Sequence, residues 1–239
     1  MKNSFLLAAL LLTGAAATAQ TSKIINDPNA QKRSATGFHA IEVSGGIDLY
    51  LSQGGDEAVA VSAADPESRD RIVTVVQGGV LHIYMEDHDF HWRWRNRRLR
   101  AYVSCKTLDD LTSSGGSDVY IDDAIRSERL EVHLSGGGDL HGKLQVGDLT
   151  VGMSGGADSY VSGTATRLRI HVSGGGDFHG YDLAADSCEA HASGGGDIYV
   201  TVNKSLNASV SGGGDIRYKG NATIRDIHTS GGGSIARRD

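Results

Sequence analysis

Ser135-Gly-Gly-Gly-Asp139 returns along the chain at 173–177, 193–197 and 211–215. Close variants are Ser44-Gly-Gly-Ile-Asp48, Ser114-Gly-Gly-Ser-Asp118, Ser154-Gly-Gly-Ala-Asp158 and Ser230-Gly-Gly-Gly-Ser234. From Ser114 onward the serines stand 21, 19, 19, 20, 18 and 19 residues apart. A period near 20 describes one small unit stacked repeatedly.

The residues around each marker say what the unit is. Five positions before the Ser stand Leu130, Leu149, Leu168, Cys188 and Leu206. Three before stand Leu111, Val132, Val151, Ile170, Ala190, Ala208 and Ile227, and one before stand Leu134, Met153, Val172, Ala192 and Val210. Apolar residues at every second position describe a strand with one buried face. After the Asp the apolar pattern resumes with Val119, Leu140, Phe178, Ile198, Ile216 and Ile235, so a second strand starts there. The glycines between can take positive φ and make the corner.

A unit this short cannot bury its apolar face alone, but stacked copies can. The expected fold is therefore an all-β, right-handed parallel β-helix (a β-solenoid) of about 19–20 residues per rung, with strands ~4.8 Å apart. A propeller blade needs about 40 residues. The Leu and Asn ladder of leucine-rich repeats is absent, and so is the six-residue period of the left-handed hexapeptide coil.

Upstream the pattern changes. Residues 1–19 read as a signal peptide, with Lys2, an apolar run over 5–12 and Ala17-Thr-Ala19 as a small-residue cleavage site. The run is too short to span a bilayer, and no Cys follows it for lipid attachment. The expected location is the periplasm or the outer cell surface. Residues 20–36 are polar and unpatterned and read as a flexible leader; 37–98 form a β-rich N-terminal part, and 99–239 the regular rungs. Within the N-terminal part, the apolar runs 72–76 and 80–85 flank Gln77-Gly-Gly79, a hairpin signal.

Gly37-Phe-His-Ala-Ile-Glu-Val-Ser-Gly-Gly-Ile-Asp-Leu-Tyr-Leu-Ser-Gln-Gly54, then Leu81-His-Ile83, the stretch 99–103 and the rungs from Leu111 resemble the head GIN domain family. That family is of auto-transporter adhesin type and common in Bacteroidetes. The resemblance implies a right-handed β-helix in an exported protein and carries over no catalytic residue. Asp48 stands where the family name implies Asn.

The formal charge is −6, or −7 without Lys2, and this acidity argues against a nucleic-acid partner. Gly-x-Ser-x-Gly, His-Glu-x-x-His and spaced Cys–His signatures are all missing, and no cofactor is implied. The expected function is a non-enzymatic binding or adhesion module of the cell envelope, with a glycan or protein partner. Its alternatives are a carbohydrate-active β-helix enzyme, a lyase or hydrolase, which is an analogy of fold alone, and a Ca²⁺-binding repeat protein.

Four features carry candidate chemistry. Asp118, Asp139, Asp158, Asp177, Asp197 and Asp215 should form a column. Carboxylates ~4.8 Å apart repel by about 0.9 kcal/mol in water. Either amides of their own or the adjacent glycine turn offset this, or Ca²⁺ is held between Asp139, Asp158, Asp177, Asp197 and Asp215; the first is the expected reading. Second, His133, His171, His191 and His228 share an outward position that would suit Zn²⁺ or Cu²⁺ if they converged, although repeat duplication also accounts for them. Two residues after the Asp, Tyr120, His141, Tyr160, His179 and Tyr199 continue a row begun by Tyr50. That row reads as a platform for sugar rings or a partner protein, or as cross-strand packing.

The third feature does not repeat. Residues 88–100 hold Phe90, Trp92 and Trp94 alternating with Arg93, Arg95, Arg97, Arg98 and Arg100. Trp and Arg are enriched at binding hot spots, so this segment is the principal candidate contact, and it favours an anionic partner. A hairpin laid on the adjoining sheet is the structural alternative. Last, Cys188 falls in the Leu column and Cys105 continues the alternation of Leu99, Ala101 and Val103, so both should be buried. Four rungs, or ~20 Å, separate them, whereas a disulfide needs Cα atoms within ~7 Å.

Overall fold

The computed structural model describes residues 27–86 and 98–238. It is a β-solenoid of about 7 turns. Its regular part consists of five long, bent strands, one per rung: β9 (Val119–Gly136), β10 (Leu140–Gly155), β11 (Ser159–Gly174), β12 (Phe178–Gly194) and β13 (Ile198–Gly212). Each pairs in parallel with the next. The register carries Leu130 onto Leu149, Leu168, Cys188 and Leu206, as the apolar columns require. All five are at most 5% exposed.

At the corners the three glycines have different tasks. The first, as in Gly136, Gly155, Gly174, Gly194 and Gly212, has positive φ between 91° and 136°. A Cβ on the third would collide with the rung below; on Gly176 it would lie 1.9 Å from the Ala157 carbonyl oxygen. The middle one, as in Gly175, faces open space. Positive φ thus belongs to one glycine of each regular corner, where the sequence pattern suggested it for all.

The N-terminal part stacks out of chain order. β2 (Ala40–Val43) lies between β6 (Val80–Met85) and β8 (Asp110–Gly115), parallel to both. Likewise β3 (Asp48–Gln53) lies between β7 (Arg100–Cys105) and β9. The first rung in sequence is therefore the second in space. Outside it, β5 (Ile72–Gln77) runs antiparallel to β6 around Gly78 and Gly79, which is the expected hairpin. β4 (Ala58–Ser62) runs antiparallel to β7, and β1 (Gln31–Arg33) antiparallel to β4. A single helical turn, α1 (Pro66–Asp70), is capped by Asp65, whose carboxylate accepts from the Ser68 amide at 2.8 Å.

The leader expected over 20–36 is thus corrected in its second half. Residues 31–33 are strand, and Ala35 and Phe38 are buried, because β1 supplies the partner that the outer edge of β4 needs. At the opposite end, β14 (Ile216–Lys219) pairs with β13 and with β16 (Ile235–Arg237), while β15 (Thr223–Gly231) pairs with the second half of β13.

Candidate functional site

The Asp column forms, and its hydrogen bonds run from rung to rung. The amide of Asp139 donates to Oδ1 of Asp118, that of Asp158 to Asp139, that of Asp177 to Asp158, that of Asp197 to Asp177 and that of Asp215 to Asp197, at 2.7–3.0 Å. The donor is the next aspartate's own amide, which corrects the expectation of glycine-turn amides. The corner presents that N–H outward directly above the preceding carboxylate. Asp215 ends the series, accepting from both the amide and the hydroxyl of Ser234, and these bonds, the hydroxyl's first, hold its carboxyl below the ordinary value. At the other end, burial and then the neighbouring Asp118 charge raise Asp48.

Beside the carboxylates runs a ladder of seven rings. In space its order is Tyr102, Tyr50, Tyr120, His141, Tyr160, His179 and Tyr199, with centroids 4.6–5.4 Å apart and neighbouring planes within 26° of parallel. The parallel register alone fixes this, since Tyr120, His141, Tyr160, His179 and Tyr199 are successive partners. Tyr102 belongs to the ladder but was missed in the sequence, because its rung lacks the Ser-Gly-Gly marker. The alternation of Ala101 and Val103 inward was the signal that placed it outward.

The stacking decides what the ladder offers. Ring faces are spent on one another, so sugar rings have no free face to stack on along its length. What points outward is a comb of ring edges, phenol oxygens and imidazole nitrogens. Tyr120, Tyr160 and Tyr199 donate to the second carboxylate oxygens of Asp118, Asp158 and Asp197, at 3.3, 3.5 and 2.8 Å. Partial burial, then the adjacent carboxylate, raises the phenol pKa of each, which keeps them donors. Arg217 closes the row at one end, reaching Asp215 at 2.7 Å and lying 5.7 Å from the Tyr199 ring centre. At the other, Tyr102 donates to Asp27 at 2.8 Å, and its hydroxyl is pushed up to about 12, by burial first.

The remaining candidates separate. His133, His171, His191 and His228 share one column, but Gly152 and Ser209 interrupt it. Among these imidazoles, the ring contact seen is between His171 and His191, at 4.9 Å and tilted by 59°. His133 instead joins Glu131 and Asp110, with ligand-type atoms within 4.8 Å of one another. Asp110 was not singled out in the sequence, because its place opposite Glu131 depends on the β8–β9 register. Cys105 and Cys188 are buried and unbridged.

Phe90, Trp92, Arg93, Trp94, Arg95 and Arg97 lie outside the described residues, as do 1–26. Arg98 is exposed with φ of 41°. On the described flanks, Ile83 is in register with Val43 and Arg100 with Asp48.

Residues 37–222 match the family described as "Putative auto-transporter adhesin, head GIN domain". The chain belongs to the head GIN domain family. No curated protein matches it. Several solved structures share the fold. A protein described as a putative adhesin from Bacteroides fragilis superposes with a TM-score of 0.82 at 24% identity, over 87% of this chain and 96% of its own. One described as a putative lipid binding protein from Parabacteroides distasonis gives 0.70 at 23%, over 89% and 98%. A putative adhesin from the same organism gives 0.71 at 20%, over 87% and 96%. At these identities the likeness shows the fold alone. Among the described residues no helix is long and apolar enough to cross a membrane.

Proposed function

We propose that this head GIN protein is an exported, non-enzymatic binding module of adhesin type that acts in the cell envelope and holds a glycan or a glycosylated protein. The observation that carries the reading is the ladder. Its polar groups repeat every rung along one face, at centroid spacings of 4.6–5.4 Å, beside an equally regular row of carboxylates. An enzyme draws unlike groups together around one reacting bond. A comb of equivalent donors and acceptors suits an extended, hydroxyl-rich ligand, bound through many weak contacts.

The segment with Phe90, Trp92 and Trp94 is the principal anchor in this reading. The described strand that follows it, β7, carries Tyr102, the first ring of the ladder. Anchor and comb favour different groups. The Asp column repels anions along the comb, while the arginines of the segment attract them.

A glycan array probed with the exported protein tests this. Binding is expected to an oligosaccharide of several units, lost with Trp92→Ala/Trp94→Ala and weakened by Tyr160→Ala, with the melting temperature of the tryptophan variant within a few degrees of the parent. Chain cleavage of a bound polysaccharide would establish an enzyme instead. Binding left intact in the tryptophan variant would remove the anchor.

A further inference from the structure

The two ends of the solenoid are finished differently. At the first, β5 pairs antiparallel with β6 and β4 with β7, with β1 outside β4, so the outer rung's edges are taken by antiparallel strands. At the second, among the described residues, β15 pairs on one side only, with β13. Every residue of β15 is exposed. Ile224 and Ile227 occupy the columns of Leu206 and Ala208, yet they are 37% and 41% exposed where the latter are 0% and 5%. The apolar interior is thus cut open there, beside a strand edge with unpaired peptide groups, which is a template for another strand.

We propose that this end is closed by a second copy of the chain, β15 pairing antiparallel with the partner's β15 across a two-fold axis. A two-fold axis perpendicular to the strand sets it against its own reverse, so only the register is free. One register places Arg225 opposite the partner's Asp226 and, by symmetry, Asp226 opposite the partner's Arg225. The same register sets Ile224 opposite the partner's Ile227, and Ile227 opposite the partner's Ile224. Opposite charges and apolar side chains are the favourable cross-strand pairs.

The local backbone makes the match possible. Leu206 pairs with Ile224 but Asn207 with Asp226, so Arg225 is a bulged residue outside the β13 ladder. The bulge brings Arg225 and Asp226 side by side between the two isoleucines, and that order makes the stretch complementary to its own reverse. A head-to-tail stack is disfavoured, because the capped end offers antiparallel strands instead of a continuing parallel rung.

Sedimentation equilibrium of the exported protein, with Asp226→Arg and the exchange Arg225→Asp/Asp226→Arg, tests the pairing. The parent is expected at twice the monomer mass in the micromolar range. Asp226→Arg sets arginine against arginine twice and weakens dimerisation at least about tenfold. The exchange restores it, because opposite charges again face each other at both symmetry-related positions. Ile227→Lys gives monomers with an unchanged circular dichroism spectrum. A parent that stays monomeric overturns the proposal and makes the bulge and Arg225 guards of the edge. A dimer indifferent to Asp226→Arg, or not restored by the exchange, overturns it as well.

Discussion

The amide of Asp139 donates to Oδ1 of Asp118, one rung earlier, at 2.9 Å. Repeated at each corner, this bond explains how a row of like charges persists. A hydrogen bond to a charged group contributes about 1.5–3 kcal/mol, against roughly 0.9 kcal/mol of repulsion between neighbours in water and several times that at a drier surface. The bond offsets the repulsion in the hydrated part of the column, and we propose that no cation is required there.

Asp158→Ala removes the acceptor for the Asp177 amide at 2.8 Å and for the Tyr160 hydroxyl. The expected loss is about 1–3 kcal/mol, read as a melting temperature lower by several degrees. Asp158→Asn keeps an acceptor oxygen and should lose less than half as much. Equal losses would mean that charge, not the bond, is what matters.

Calcium has one free column of carboxylate oxygens to compete for, partly taken by tyrosine hydroxyls. Scanning calorimetry in EDTA and in millimolar Ca²⁺ should therefore give the same melting temperature. A rise of ten degrees or so in calcium would reverse the assignment, since preferential binding to the folded state raises stability.

Adjacent glycines should respond in opposite ways. Gly176→Ala drives a Cβ to 1.9 Å from a carbonyl oxygen of the neighbouring rung, and overpacking of this kind destabilises by about 1–3 kcal/mol or more. Gly175→Ala meets nothing and should be neutral, or stabilising by about 0.4–1 kcal/mol through the unfolded chain. Denaturant midpoints compare the two directly.

At high pH the buried thiols set a limit. Burial first of all pushes Cys105 up to about 11 and Cys188 to about 12, against roughly 8.5 in an unfolded chain. Their contribution to stability is full below the unfolded value and is lost as pH rises towards the folded values. At the acid end Asp215 acts in the opposite sense, contributing above its ordinary value and losing that as pH falls. Native protein at pH 8 should resist alkylation, and Ser234→Ala should move acid unfolding to higher pH. Prompt labelling of both thiols at pH 8 would refute the burial argument.

The regular rungs were legible because each residue's role is repeated at one spacing. The Leu130, Leu149, Leu168, Cys188 and Leu206 column needs only the period and the alternation, and so does the Tyr/His row. Two things were not legible. That Tyr102 precedes Tyr50 in space depends on β2 and β3 entering between later strands, a matter of long-range pairing with no local marker. That the Asp carboxylates bond the next aspartate's amide depends on where the stacked corners point that N–H, which composition and spacing do not encode.

The inserted position of the first rung also orders the folding of the chain in time. Partners in β9 to β13 lie only 18–21 residues apart, except where bulges shift the register, whereas Ile41 must find Leu111 and Leu49 must find Val119, each 70 residues away. Loop closure over short separations is cheap and rapid, and stacked repeats propagate from wherever they nucleate. A chain emerging from its N-terminus thus leaves one side of its first rung, the side that meets β8 and β9, unmatched until residue 119 has followed. The middle rungs zip first, and the N-terminal rung docks onto them as the late step. Pulsed hydrogen exchange would show amides of 130–210 protected before those of 40–53.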